Sequence, residues 1–178
     1  MNSLKIEQRK IIKSRKLAAD RFEMEAASKK IFAQVEQVAE FKNAKNVLAY
    51  WSLPDEVDTH NFVVEWHKIK TISLPVVAGA NLELCIFSGM ECMKKTGSFG
   101  ILEPTGTEIV DPNDIEVAIV PGMAFDMEGN RLGRGKGFYD SLLQNKNIYK
   151  IGVCFEFQLL EKVATSPHDI PMDKVIYV

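Results

Sequence analysis

The sequence predicts an α/β fold with a largely parallel central sheet, from three features of the chain. Short apolar runs alternate with segments of helical spacing after residue 41. The stretch before it, from Ser3 to about Phe41, holds neither proline nor glycine and therefore reads as helix. Finally, the run Val117-Ala118-Ile119-Val120 ends in Pro121-Gly122 and leads into a glycine-rich segment, a strand–loop–helix pattern.

Taken in order, the first 41 residues form two helices with a break near Ala19-Asp20. Ile31, Val35 and Val38 recur at i, i+4 and i+7, with Phe32 and Ala39 beside them, which gives an apolar stripe. The first helix is basic, with Lys5, Arg9, Lys10, Lys13, Arg15 and Lys16 against Glu7. Such a face is usually solvated; alternatively Lys5 and Arg9, one turn apart, point together at an anion. Asn46 to Trp51 reads as a strand, followed by an acidic loop and a helix through Phe62, Val63 and Trp66, capped by Asp58 or Thr59. Further strands are expected at Thr71–Leu74, closed by Pro75, and at Leu82–Phe87. Residues 89–114, punctuated by four glycines and two prolines, are expected to be loop with little regular structure. After the glycine-rich segment come a helix through Leu142-Leu143, a strand at Lys150–Phe155, a short helix at Phe157–Leu160 and a strand at Lys174–Val178. In parallel sheets ligands sit beyond the carboxyl ends of the strands, so the loops after Trp51, Pro75, Val120 and Phe155 should share one rim. Glu56 and the glycine-rich loop then lie on the same side. The 178 residues fit one domain, 1–178, with helices 1–41 packed on the α/β core.

Composition narrows the function classes. A formal net charge of −2 disfavours a nucleic-acid binder. No apolar run is long enough to span a bilayer and the start, MNSLKIEQRK, has no signal-peptide core, so a cytoplasmic protein is expected. Cys85, Cys92 and Cys154 lack metal or disulfide spacing and read as idle thiols, and His60, His67 and His168 are scattered.

The chemistry concentrates between Val117 and Leu143. Gly129, Gly133, Gly135 and Gly137 surround Arg131, Arg134 and Lys136. Glycine permits close approach of a ligand to the backbone, and free N–H groups plus three cations suit a polyanion such as a phosphate chain. The loop is not a Walker A motif, because Gly135-Lys136 is followed by Gly137 where Ser or Thr is needed. It is not a dinucleotide fingerprint either, since the third glycine is out of place.

The string from Pro121-Gly122 through Ala124-Phe125-Asp126, Gly129-Asn130-Arg131-Leu132-Gly133-Arg134-Gly135-Lys136-Gly137 and Phe138-Tyr139-Asp140 resembles the signature of the 5-formyltetrahydrofolate cyclo-ligases. Lys5 with Arg9, the acidic segment Asp55 to Thr59, the segment Phe99 to Pro104 and Asp173 extend the resemblance along nearly the whole chain. It implies a Rossmann-like three-layer sandwich with an N-terminal helical extension. The implied reaction uses ATP as co-substrate and Mg²⁺: the formyl oxygen of 5-formyltetrahydrofolate attacks the γ-phosphorus, N10 closes the ring, and 5,10-methenyltetrahydrofolate, ADP and phosphate are released. A folate with one or several glutamates is implied as partner, with no nucleic acid or membrane, and a monomer is expected.

The resemblance also implies roles. ATP would be held by Lys5, Arg9 and the run Arg131, Leu132, Gly133, Arg134, Gly135, Lys136 and Gly137, with Tyr139. Lys136, Arg134 and Tyr139 would be catalytic, the two cations neutralising the moving phosphoryl group. Folate would meet Trp51, Glu56, Phe99 and Phe138 as well as Arg134 and Lys136. Asp140 and Asp173 would be oxygen ligands of the metal. Phe138 stands where many members have a tyrosine, and Val76 where some have arginine. A non-catalytic nucleotide- or folate-binding regulator, and an isomerase or transferase acting on a sugar phosphate or CoA ester, remain as other readings of the same loop.

Overall fold

The computed structural model describes residues 3–79, 81–95 and 102–178. Helices α1 (Ser3–Ala18) and α2 (Arg21–Val35) open the chain. Asp20 separates them: its extended backbone leaves the helical path, and its carboxylate accepts hydrogen bonds from the N–H groups of Phe22 and Glu23. Ile31, Phe32, Val35 and Val38 are buried as the spacing requires, whereas Ala39 is exposed; Val38 and Ala39 belong to the cap and start of a separate short helix, α3 (Ala39–Asn43).

Then follow β1 (Asn46–Leu48), α4 (His60–Trp66), β2 (Thr71–Ala78) and β3 (Asn81–Ile86). Short pairings come next, β4 (Met93–Lys95) with β5 (Leu102–Pro104), and β6 (Ile109–Val110) on the edge of the sheet. The chain continues through β7 (Val117–Val120), the hairpin β8 (Ala124–Phe125) and β9 (Arg131–Leu132), α5 (Phe138–Leu143), β10 (Tyr149–Cys154) and β11 (Lys174–Tyr177).

Among the described residues the main sheet has seven strands in the order β11-β10-β7-β1-β2-β3-β6. β11, β10, β7, β1 and β2 run parallel, while β3 and β6 add an antiparallel edge. The fold is therefore α/β, as expected. One face is covered by α2, α3 and α4 through Ile31, Phe41 and Phe62. The other is covered by α5 and the β8–β9 hairpin through Leu142, Leu143 and Phe125. α1 lies against the hairpin, where Ile12 packs with Met123, Leu132 and Val163.

Three expectations are corrected by the structure. Pro75 does not close β2; it pairs in register with Leu84. Ser73 sends its carbonyl toward β1, where Ala49 N–H meets it, so Pro75, two residues on, faces the same side after β1 has ended. Its missing donor is therefore not needed there. Residues 89–95 and 102–114 are also more ordered than expected, because pairings of two or three residues leave no periodic signal. The helix expected at Phe157–Leu160 is a single 3₁₀ turn at Glu156–Gln158.

Candidate functional site

β1 and β7 are hydrogen-bonded neighbours, with Leu48 opposite Ala118, so the loops that leave their carboxyl ends meet. The loop after β7 is held from within by Asp126, whose buried carboxylate accepts from Glu128 N–H, Asn130 N–H, Asn130 Nδ2 and Val163 N–H. That clamp shapes the β8–β9 hairpin, and β9 delivers the chain into Gly133–Gly137. Gly135 (φ 106°) and Gly137 (φ 71°) occupy conformations that side-chain-bearing residues rarely adopt. Among the described residues, the backbone N–H groups of Gly133, Arg134, Gly135, Lys136 and Gly137 donate to no protein acceptor. These five consecutive donors belong to the same loop as Lys136, which is exposed and makes no ion pair among the described residues. α5 is only six residues long, so loop donors and side chains supply most of the positive character.

The N-terminal helix closes one side. Lys5, Gln8, Arg9, Ile12 and Lys16 share one face of α1 by their spacing. Arg9 Nε donates to Gly133 O at 2.8 Å, which brings a guanidinium to the glycine loop. Gln8 bonds Lys162 O and Ala164 N–H, docking the helix on the C-terminal segment. Lys5 does not stand free beside Arg9; it is buried in an ion pair with Asp169.

The acidic loop after β1 closes the opposite side. Arg134 donates from Nε and Nη2 to Glu56 Oε1 at 3.2 and 2.9 Å, and from Nη2 to Asp55 Oδ1 at 2.9 Å. Lys16 reaches Asp55 from α1, bonding its carbonyl at 2.7 Å and its Oδ2 at 2.9 Å. Burial pushes the Asp55 carboxyl up, but the bonds and charges of Lys16 and Arg134 outweigh it and hold the group below its ordinary range. For Arg134 burial opposes the charged form, and the two carboxylates prevail, so its value is raised. Of the four loops expected at one rim, those after β1 and β7 are joined by this bridge of charges, and Glu56 does face the glycine loop. Glu56 also lines, with Ser28, Leu53 and His60, a cavity of about 330 Å³ between α2 and this loop.

Other expected site residues are placed as follows. Arg131 and Leu132 are interior: Leu132 packs against Ile12, and Arg131, 6% exposed, donates to Asp140 at 2.9 Å and lies 5.5 Å from the Tyr139 ring centre. Arg131 therefore orients Asp140 and is not presented to a ligand. Tyr139 has its ionisation pushed far up by burial and then by Glu56, against the charge of Arg131, so its hydroxyl stays protonated. Trp51 stands at the rim, 4.2 Å from the His60 ring and 5.8 Å from that of Phe87. Phe138 is half-buried at the start of α5. Phe99 lies outside the described residues.

The two candidate metal ligands are not brought together. Asp140 sits in the first turn of α5 near the rim, whereas Asp173 precedes β11 at the amino end of the strands. There it is tied to Lys150 through Nζ and backbone N–H, both at 2.7 Å. Parallel pairing dictates this, because a residue just before one strand falls at the start of its neighbour. Among the described residues no cluster of three or more His, Cys, Asp or Glu could hold a metal, and no helix is long and apolar enough to cross a membrane. Sequence reasoning missed Lys16, Asp55 as an ion-pair partner, and Asp169. Of these only Lys16 had a signal, eleven residues from Lys5 and thus on the same helical face.

An anion-receptive loop and an acidic pocket at one rim of a parallel sheet define a small-molecule enzyme site of the α/β type. A model of the 5-formyltetrahydrofolate cyclo-ligase family matches residues 2–178. The chain is 31% identical over 145 residues to the 5-formyltetrahydrofolate cyclo-ligase of Haemophilus influenzae, covering 77% of this chain and 78% of that one. It is 32% identical over 171 residues to a probable 5-formyltetrahydrofolate cyclo-ligase of Schizosaccharomyces pombe, covering 84% and 79%. The solution structure of Aquifex aeolicus 5,10-methenyltetrahydrofolate synthetase superposes with a TM-score of 0.88 at 37% identity, over 98% of this chain and 89% of that one. The chain belongs to the 5-formyltetrahydrofolate cyclo-ligase family, which is a family of enzymes.

Proposed function

We propose that this protein converts 5-formyltetrahydrofolate to 5,10-methenyltetrahydrofolate with ATP and magnesium, releasing ADP and phosphate. The observation that carries the reading is the run of five loop N–H groups, without an acceptor among the described residues, beside Lys136 and Arg9 and joined across Arg134 to the Glu56 carboxylate. A phosphate chain satisfies those donors, and a pterin with its adjacent N–H groups satisfies a carboxylate. The two substrates would thus meet at Arg134, where the formyl oxygen attacks the γ-phosphorus before N10 closes the ring.

Phosphoryl transfer depends mainly on positioning and on neutralising charge. Lys136, exposed and without an ion pair among the described residues, is free to follow the transferred group. Arg134 reaches both loops and can move its charge from the carboxylates to the phosphate. Tyr139, kept protonated, can donate a hydrogen bond to the formyl or phosphoryl oxygen. Magnesium would neutralise phosphate charge. Asp140 fits as its single carboxylate ligand: Oδ1 is held by Arg131 and Ile170 N–H, and Oδ2 accepts nothing among the described residues. Asp173 does not fit, being bonded to Lys150 at the other end of the strands.

The test is direct. Purified protein mixed with 5-formyltetrahydrofolate and Mg·ATP should develop the methenyl absorption in the near ultraviolet, at a rate that depends on ATP. Absence of that rise refutes the proposal.

A further inference from the structure

The Glu56 carboxylate is already occupied. Oε1 accepts twice from Arg134, and Oε2 accepts from Leu53 N–H at 3.0 Å. A carboxylate oxygen has about two acceptor positions, so Oε1 is saturated. A planar donor pair that needs one position on each oxygen cannot bind until Arg134 withdraws. Arg134 is also held by Asp55, through the same Nη2, and Asp55 is fastened to α1 by Lys16, whose side chain is 5% exposed. When Arg134 leaves Glu56, Asp55 remains as a charged berth.

Resting on the proposed function, we propose that Asp55 is a positioning residue: by keeping Arg134 paired, it lets Glu56 be released to the folate. Without Asp55 the guanidinium keeps, among the described residues, one charged partner, Glu56, and clings to it. Nucleotide phosphates give Arg134 a second partner, so they substitute for Asp55. Because binding free energies are linked reciprocally, folate and nucleotide should promote each other's binding, more strongly when Asp55 is missing. A purely structural role gives no reason for such a dependence on nucleotide.

The experiment is calorimetric titration of 5-formyltetrahydrofolate into the full chain, with and without a saturating non-hydrolysable ATP analogue and Mg²⁺. Wild type, Asp55→Asn and Asp55→Glu are compared, with melting temperatures as a check on folding. Asp55→Asn should bind folate about fivefold more weakly without nucleotide, the scale of one solvent-accessible ion pair. With the analogue present the loss should shrink to within about twofold, and Asp55→Glu should behave as wild type in both conditions. An equal loss in Asp55→Asn with and without the analogue, or no loss at all, overturns the role of Asp55 while leaving the proposed function standing. If Asp55→Asn does not fold, Asp55→Glu must still keep wild-type coupling, and its failure to do so overturns the proposal. A wild type that binds no 5-formyltetrahydrofolate in either condition overturns the proposed function and this inference together.

Discussion

Replacing Lys136 with alanine separates catalysis from folding more cleanly than any other single change at this site. The side chain is exposed, projects from a glycine-flanked loop and makes no ion pair among the described residues. Its removal opens no cavity and orphans no partner, so stability should change by no more than about 0.5 kcal/mol. For a chain of this size that moves the melting temperature by less than about 2 °C. Catalysis should respond differently. Loss of one preorganised group that stabilises transition-state charge typically costs about 10²- to 10³-fold in turnover, or about 2.7–4 kcal/mol. The assay is the ATP-dependent appearance of methenyl absorbance at saturating folate, run beside a calorimetric melt. Turnover within about threefold of wild type would refute the assignment of Lys136 to the transferring phosphate, since a drop that small is about 0.65 kcal/mol. A large fall in melting temperature would instead show that the loop depends on Lys136 for its shape.

Other substitutions test the supporting structure. Arg131→Leu leaves Asp140 without its partner in a site where the two side chains are 5% and 19% exposed, so it should destabilise the fold by about 3 kcal/mol, read by denaturant unfolding. Retained stability would mean that Arg131 is no strut. Gly152→Ala sets a methyl 2.5 Å from Phe125 Cε1 and 3.0 Å from Met172 Cγ, and overpacking there should cost about 1–3 kcal/mol. A melting temperature equal to wild type would show that the hairpin yields freely. Cys154 is buried and its thiol is pushed up to about 12 by burial. At pH 8 only about one molecule in 10⁴ would be thiolate, so alkylation should require denaturant, and rapid labelling of native protein, located by peptide mass, would contradict the packing.

The glycine loop was legible because its residue types carry the chemistry directly. Glycines at the two positive-φ positions, with Lys136 between them and Arg134 just before, suit a polyanion wherever the loop lies. The helix break was legible for the same reason, since Asp20 caps the neighbouring N–H groups in its own stretch of chain. Arg131 and Arg134 look alike in sequence, three residues apart in one motif. One is buried against Asp140 and Tyr139, and the other crosses to the acidic loop. The difference arises because Arg131 belongs to β9 of a packed hairpin, whose connecting loop is held by the Asp126 carboxylate.

By itself, the sequence determined the alternation of strand and helix, the boundary at Asp20, the apolar stripe of α2 and the glycine-and-cation composition of the loop at residues 133–137. These depend on propensity, periodicity and capping, which act over a few residues. Tertiary structure alone decided that Lys5 rests on Asp169, that Asp55 holds both Lys16 and Arg134, and that Asp173 lies at the wrong end of the sheet to join Asp140. Those pairings span from 23 to 164 residues of chain. A charge attracts any opposite charge, so residue type cannot choose among partners; the packing of α1, the hairpin and the parallel strands makes the choice by bringing particular ones within reach.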